Sequence, residues 1–374
     1  MDASEKSLRR DVGGAARHRR DDARRIEDFV AEHVEARRAE GSAGHLPAPP
    51  AAPHAPVAMP PAALAPARAP RVVASLRRRL HEDPLRALDM AYPAALLGPG
   101  AEAEAVRREL LVRHSVHTAC LALHVAEAHG FQPSTVEVVG LCALLHDVGL
   151  ERVSAELFAK SEPLTSGERE VLRGHAAEGA ELLRCGGQLE GLLRRVVPAV
   201  VRQHHERADG SGYPDGLGAA HTHEFARLLA LAEAYETMVS PRPYKQAVLP
   251  HEAMEALVLD AFGKLGPPRF DKRMAASFLR ALGLYPVGSG VRLESGEIAL
   301  VVASHWDEPD RPYVRLLTGR EGRPLERPRV VDLHAAGIAV ARAVALPSPL
   351  AAPGKRERGS EPPAQHAGPA GATK

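Results

Sequence analysis

Hydrophobic and polar positions divide the chain into blocks of different character. From Val72 to about Leu284, apolar residues recur at helical spacing in long segments joined by short loops, and strand-like alternation is nearly absent. From about Gly288 the pattern changes to alternation interrupted by glycine turns, as in GVRLESGEIALVVAS and YVRLLTGREGRPLERPRVVDL. The pattern therefore predicts a mainly α protein with a small C-terminal β element.

Proline, glycine and charge distinguish the two ends from this core. Residues 1–40 are rich in arginine, and residues 41–70 form a Pro/Ala stretch typical of an extended tether. Roughly the last 30 residues are Pro, Gly, Ala and charged residues, a composition typical of disorder. We therefore expect disordered termini at 1–70 and 346–374, a helical domain at 71–286 and a β extension at 287–345.

Composition limits the partners and the compartment. Lys and Arg total 48 against 47 Asp and Glu, so no overall field favours a nucleic-acid polymer or a membrane surface. The three cysteines form no disulfide motif, which is typical of reduced thiols in a cytoplasm. No apolar window approaches the ~20 residues of a membrane span, and the charged start is unlike a signal peptide. We expect a cytoplasmic protein that binds any anionic ligand with local charges.

One buried helix carries the first pair of candidate site residues. The segment STVEVVGLCALLHDVGL is apolar on nearly every side from Val136 to Leu145, which predicts a helix that ends in the interior at His146 and Asp147. A histidine–aspartate pair alone is more typical of a helix-capping hydrogen bond, because short motifs match by chance.

Other histidines lie at comparable places. His175, in LRGHAAEGAELLR, is followed on the same helical face by Gly179, where glycine allows a close approach of backbone or metal. His204 and His205 end an apolar helix that begins near Leu192. Adjacent helical side chains point about 100° apart, so the two rings can address different ions, or one ion and its substrate.

Acidic residues complete the set. Glu233 and Glu236 are three residues apart on a helix otherwise made of Leu, Ala and Met, and buried acids are costly unless a cation compensates them. His114 begins another apolar helix. Imidazoles and carboxylates from four or five helices predict a metal site in the core. The alternative is that these are unrelated core histidines. In that case several of the histidines would each need a separate buried hydrogen-bond partner.

These residues, in this order, resemble the HD-GYP family, the bacterial branch of the HD phosphohydrolases. HHERADGSGYPDGL matches the family signature of paired His, Glu, then Asp-Gly-x-Gly-Tyr-Pro-x-Gly-Leu; HDVG, the HAAEG histidine and SPRPYK also match, over about residues 105–286. The resemblance implies a helical HD-domain bundle that holds two or three divalent ions, iron or manganese. It also implies hydrolysis of cyclic di-GMP to the linear dinucleotide pGpG or to GMP.

The resemblance assigns roles to individual residues. The matched metal ligands are His146, Asp147 as a bridge, His175, His204, His205 and Glu233, with His114 for a further ion. Arg242 and Lys245, in RPYK, match residues that hold the substrate phosphate, and Lys245 and Asp147 are the implied catalytic residues. Tyr213 is available to stack on a guanine.

Two positions depart from the family pattern. Leu150 replaces the lysine that usually follows HDVG, which removes a cation near the substrate phosphate or the attacking water, and Glu233 replaces an aspartate. We therefore expect a cyclic di-GMP phosphodiesterase of reduced activity, whose partner is its cyclic dinucleotide; a homodimer or a signalling partner also fits. The alternatives are a degenerate domain that acts as a cyclic di-GMP sensor or scaffold, and an HD phosphohydrolase for another phosphate ester.

Overall fold

The structure is a computed structural model, and it describes residues 69–82, 103–160, 162–187, 189–240, 247–305 and 308–346. Helices come first along the chain and a small sheet follows them. The termini expected at 1–70 and 346–374 lie outside the described residues, apart from positions 69, 70 and 346.

The helical block packs around two central helices, α2 and α3. Its elements are α1 (Ala69–Glu82), α2 (Ala103–His129), α3 (Pro133–Leu145), a 3₁₀ helix (Val148–Arg152), α4 (Ala155–Ala159), α5 (Ser166–Arg173), α6 (His175–Cys185), α7 (Leu193–Gln203), α8 (Glu224–Val239), α9 (Pro250–Ala261) and α10 (Lys272–Leu282). Helix α3 contacts α1, α2, α7 and α8, and its residues Val139, Leu144 and Leu145 are at most 1% exposed. The expectation of a buried helix that ends just before His146 is confirmed.

The expectation that no stretch approaches a membrane span was wrong, because one helical stretch is long enough and apolar enough to cross a membrane. Residues Pro133–Arg152 form a helical stretch of 20 residues that is apolar enough to pass such a test. Within the fold, however, 61% of the tested window is buried against other helices. Enclosure of α3 on several sides explains why its sequence carries almost no polar face.

The C-terminal element is an antiparallel sheet of five strands in the order β4-β3-β2-β1-β5. The strands are β1 (Gly290–Leu293), β2 (Ile298–Ala303), β3 (Tyr313–Leu316), β4 (Val330–Asp332) and β5 (Val340–Val344), with a short helix α11 (Leu333–Ala336) before β5. Val291 pairs with Ala299 and Val301 with Val314, and all four are at most 1% exposed. Alternation of this kind buries one face of the sheet, and the mainly α fold with a small β element is confirmed.

Two glycines allow the 3₁₀ helix after Asp147 to lie against α6. A Cβ added to Gly149 would lie 2.1 Å from the carbonyl oxygen of His175 and 2.6 Å from the nitrogen of Gly179. A Cβ added to Gly179 would lie 3.0 Å from the nitrogen of Gly149. The expectation that Gly179 permits the close approach of another backbone is confirmed, and this contact sets the distance between His146–Asp147 and His175.

We predict that Gly149→Ala lowers the free energy of unfolding by about 1–3 kcal/mol, because the new methyl group overlaps backbone atoms. Gly167→Ala is the matched control: Gly167 lies in α5 with nothing within 4 Å of an added Cβ. There alanine should be neutral or stabilising by up to about 1 kcal/mol. Chemical denaturation of both variants checks this, and equal effects would contradict the close-approach argument.

Candidate metal centre

Three histidines of the centre are held by the same local hydrogen bond. The Nδ1 atoms of His146, His175 and His204 lie 2.7, 2.6 and 2.6 Å from the carbonyl oxygens of Ala143, Leu172 and Val201. A carbonyl oxygen only accepts, so each Nδ1 carries a hydrogen and donates it. The Nε2 atom of each neutral ring is left with its lone pair, and the backbone thereby fixes ring orientation and tautomer together.

The lone pairs converge on the carboxylate of Asp147. Its Oδ1 lies 3.2 Å from His175 Nε2 and 3.8 Å from His204 Nε2. Its Oδ2 lies 3.3 Å from His146 Nε2 and 3.5 Å from His114 Nε2. Electron-rich atoms this close repel one another in a buried site unless a positive charge lies among them. Imidazole nitrogen with carboxylate oxygen is a donor set that suits divalent transition metals.

The potential ligands form two groups that share Asp147. One group is Asp147, His175, His204 and His205, and the other is His114, His146 and Asp147; within each, ligand atoms lie within 4.8 Å of one another. Each carboxylate oxygen of Asp147 faces a different group. This is the arrangement that a carboxylate bridging two ions requires.

Glu233 lies at the edge of the first group. His205 Nε2 is 3.2 Å from His175 Nε2, and His205 Nδ1 is 3.5 Å from Glu233 Oε2. That glutamate oxygen is buried and has no hydrogen-bond partner among the described residues. A buried carboxylate oxygen without a donor is costly, and coordination to a cation would remove the cost. The residues present therefore fit a metal ion.

Burial and charge set the protonation of the centre. Burial lowers the pKa of His204 and of His205 well below the ordinary value, and neighbouring imidazoles lower both further, so these rings are neutral. Burial also lowers the pKa of His146, but the attraction of Asp147 outweighs it and raises that pKa to about 9. Burial likewise lowers the pKa of His175, but its hydrogen bond with Asp147 outweighs burial and raises that pKa. The centre therefore attracts positive charge.

A third carboxylate, that of Glu236, lies behind His114; the sequence pattern indicated Glu236 as a buried acid but assigned it no role. Glu236 is 1% exposed, and its Oε2 accepts a hydrogen bond from His114 Nδ1. Its Oε1 accepts one from Ser240 Oγ at 2.6 Å and lies 3.5 Å from Nδ1 of His117. A carboxylate in this place orients a ligating imidazole and raises its basicity. The signal was available: His117 and Glu236 each follow a candidate ligand by three residues, close to one helical turn.

Glu206 holds the loop that follows the paired histidines. Its side chain is buried at 2% exposure, and its two oxygens accept the backbone N–H groups of Asp215 and Leu217, each at 2.8 Å. Arg202 adds a two-point ion pair with the Asp215 carboxylate, at 2.7 and 2.6 Å. A Cβ on Gly212 would lie 2.4 Å from the nitrogen of Arg207, so the loop folds closely onto the end of α7. Glu206 thus organises the loop rather than facing the histidine cluster.

Tyr213, the tyrosine of this loop, lies directly on the centre. Its ring stacks on His205, with centroids 4.5 Å apart and planes 26° from parallel. One face of the tyrosine is therefore covered by a candidate ligand. The guanidinium carbon of Arg173 also lies over this ring, 5.3 Å from its centroid, and stacking of Tyr213 on a guanine stays a prediction.

The other predicted residues lie apart from the cluster or outside the described chain. Leu150 is 6% exposed, and the guanidinium of Arg107 donates to the carbonyl oxygens of Glu151 and Val153 beside it, at 3.0 and 3.3 Å. An apolar, buried side chain thus stands at position 150. Arg242 and Lys245 lie in residues 241–246, outside the described part.

Comparison with known proteins finds family models that match both structured regions of the chain. The family model described as "HD domain" matches residues 100–267, and the model "KOW domain associated with HD domain" matches residues 290–345. These two segments contain the metal centre and the C-terminal sheet.

Curated relatives share this region. A cyclic di-GMP phosphodiesterase of Pseudomonas aeruginosa is 33% identical over 61% of this chain and 53% of its own length. The cyclic di-GMP phosphodiesterase response regulator RpfG of Xanthomonas campestris is 36% identical over 39% of this chain and 37% of its own length. PdeB of Borreliella burgdorferi, another cyclic di-GMP phosphodiesterase, is 26% identical over 57% of this chain and 54% of its own length.

The chain thus spans about half or less of the length of these relatives. Within that span, HDVG, the HAAEG histidine and the paired histidines lie on or next to the elements that build the centre. Residues 100–267 of this chain therefore match the HD domain model, and the chain is similar over this region to curated cyclic di-GMP phosphodiesterases.

Proposed function

We propose that this chain is a metal-dependent phosphodiesterase that hydrolyses cyclic di-GMP to linear pGpG, and in a further step to GMP. The observation that carries the proposal is the position of Asp147, with one carboxylate oxygen toward each of two histidine groups. The named activity of the relatives supports the choice of substrate. The three free cysteines, two of them buried, support a cytoplasmic location where thiols stay reduced.

The centre would hold two divalent ions, iron or manganese. His175, His204, His205 and Glu233 would bind one ion, His114 and His146 the other, and Asp147 would bridge them. Such ions lower the pKa of a bound water and neutralise charge that develops on a phosphoryl group. Among the described residues there is no further group of three potential ligands that could hold a third ion.

The chain's own residues supply orientation and exclusion of water. Glu236 holds His114 in place, and backbone carbonyls hold the rings of His146, His175 and His204, so these ligands need no reorganisation. Tyr213 covers His205 on the side of the loop and limits solvent access there. Arg242 and Lys245 would hold phosphate oxygens, the arginine through a planar fork and the lysine as a point charge.

One observation favours a second candidate, a cyclic di-GMP sensor or scaffold. Leu150 is buried and apolar at the position where the family pattern that the sequence resembles usually has a lysine, so the cation that this pattern implies is missing. Loss of one electrostatic donor costs about 10²–10³ in rate in well-studied enzymes, without abolishing metal-assisted chemistry. We therefore propose slow hydrolysis rather than none.

Metal content tests the centre itself. Protein prepared anaerobically with iron and manganese supplied should carry close to two ions per chain. Asp147→Ala should remove most of both, because it would bridge them, whereas His205→Ala and His114→Ala should each remove about one. His129→Ala is the control, since His129 lies outside the cluster and bonds Ser277. Elemental analysis that finds metal-free protein of normal stability would contradict the proposal.

Turnover tests the substrate. The metal-loaded protein should bind cyclic di-GMP and release linear product slowly, and Asp147→Asn should abolish release. Product analysis by chromatography and calorimetric binding on the same sample separate the candidates. Tight binding without product would establish the sensor, whereas hydrolysis of simple phosphodiesters with no binding of cyclic di-GMP would leave the chemistry correct and the substrate wrong.

Position 150 tests the missing cation. Leu150→Lys should raise kcat about tenfold or more and change affinity little, the pattern of a contact made mainly in the transition state. Leu150→Met keeps the position apolar and should leave kcat near its original value. If the Leu150→Lys and Leu150→Met variants have the same kcat and unchanged thermal stability, the absence of a cation at position 150 does not limit turnover.

A further inference from the structure

Three side chains form a stack that runs outward from the metal centre. Tyr213 stacks on the His205 ring with centroids 4.5 Å apart, and the guanidinium carbon of Arg173 lies 5.3 Å from the centroid of the same tyrosine. A guanidinium at this distance from an aromatic ring is held by cation–π attraction. The stack therefore places a permanent positive charge one aromatic ring away from a candidate metal ligand.

Arg173 is available for a ligand. Its side chain is exposed, and within the described part of the chain its guanidinium makes neither a hydrogen bond nor an ion pair. The other charged groups close to Tyr213 are Glu233 and Asp147, which lie at the centre, and Arg207, which lies over Phe270. Arg173 is thus a cation with unused donors at the rim of a centre rich in carboxylate.

The backbone fixes Arg173 relative to the centre. It is the last residue of α5, and Gly174 joins it directly to His175, the first residue of α6. The hydrogen bond from His175 Nδ1 to the carbonyl of Leu172, at 2.6 Å, joins the end of α5 to the candidate ligand itself. At its other end, α5 begins with a capping box between Thr165 and Glu168. The backbone of Arg173 is therefore tied to the metal centre at short range, and the contact with Tyr213 positions its guanidinium.

We propose that Arg173 is a substrate-binding residue that holds the phosphodiester of the cyclic dinucleotide that is not being cleaved. This inference rests on the proposed function. The reacting phosphorus must lie against the ligand cluster, whereas the guanidinium of Arg173 lies over Tyr213, the ring that itself stacks on His205. Arg173 therefore meets a group farther along the substrate, and a cyclic dinucleotide presents a second phosphate there.

The chemistry of arginine fits this group. A guanidinium donates two parallel hydrogen bonds to phosphate oxygens, and stacking on Tyr213 leaves its edge free to do so. It also supplies a cation that the apolar Leu150 does not. Guanine offers acceptors to the same fork, so recognition of the base is the alternative that the experiment must separate.

The experiment compares Arg173→Gln, Arg173→Lys and Arg184→Gln in the full metal-loaded chain. Arg184 is the matched control because it is an exposed arginine on α6 that pairs with Glu181 at 3.3 Å. We expect Arg173→Gln to raise KM for cyclic di-GMP about tenfold with little change in kcat, since the lost contact acts equally on ground and transition states. Arg173→Lys should restore part of the loss, and Arg184→Gln should match the unmodified protein.

Binding of cyclic di-GMP and cyclic di-AMP, measured by calorimetry, identifies the group that is bound. If Arg173 holds phosphate, Arg173→Gln weakens both ligands by the same factor. A loss confined to the guanine ligand overturns the phosphate contact in favour of base recognition. An unchanged KM for Arg173→Gln overturns this inference and leaves the proposed function standing. The same holds if affinity falls together with metal content or thermal stability and Arg173→Lys does not restore it. If the unmodified protein binds no cyclic dinucleotide, both the proposed function and this inference fail.

Discussion

The repulsion among electron-rich atoms around Asp147 is the constraint on which the rest of the centre depends. Three imidazoles give their Nδ1 hydrogens to backbone carbonyls and so turn their Nε2 lone pairs toward one carboxylate. Water cannot relieve this repulsion, because His146 and His204 are 0% exposed. A cation between these atoms removes the repulsion. The raised pKa of His146 has the same cause, because the carboxylate of Asp147 favours a positive charge beside it. The folded chain is therefore organised to bind cations.

The packing of apolar helices offsets the free-energy cost of burying this polar cluster. The ligands stand at helix ends or on helix faces, and the helices behind them bury Leu, Val and Ala against one another. Packed helices position the ligand atoms, and the contact between Gly149 and Gly179 brings the 3₁₀ helix after Asp147 against α6, which begins at His175. Two supporting carboxylates have different roles. Glu236 orients the ring of His114, whereas Glu206 shapes the loop that brings Tyr213 onto His205.

Much of this arrangement could be predicted from the sequence, because apolar periodicity reveals which helix ends are buried. The buried helix before His146, the close approach at Gly179 and the change from helices to strands all follow from such patterns. Periodicity does not tell which way a buried acid turns, so Glu206 and Glu236 gained their roles only in the structure. Arg173 was missed for a related reason: an arginine at an exposed helix end resembles any solvated charge until tertiary packing places it on Tyr213.

Anomalous X-ray diffraction at the iron absorption edge, on crystals of the iron-loaded chain, tests the central claim most directly. The account predicts two anomalous peaks about 3.5–4 Å apart, the spacing of two-metal sites, with one Asp147 oxygen directed at each. The Nε2 atoms of His146 and His175 should point at different peaks. A fully loaded crystal with no peak beside Asp147, and with the histidines paired to one another through hydrogen bonds, would contradict it.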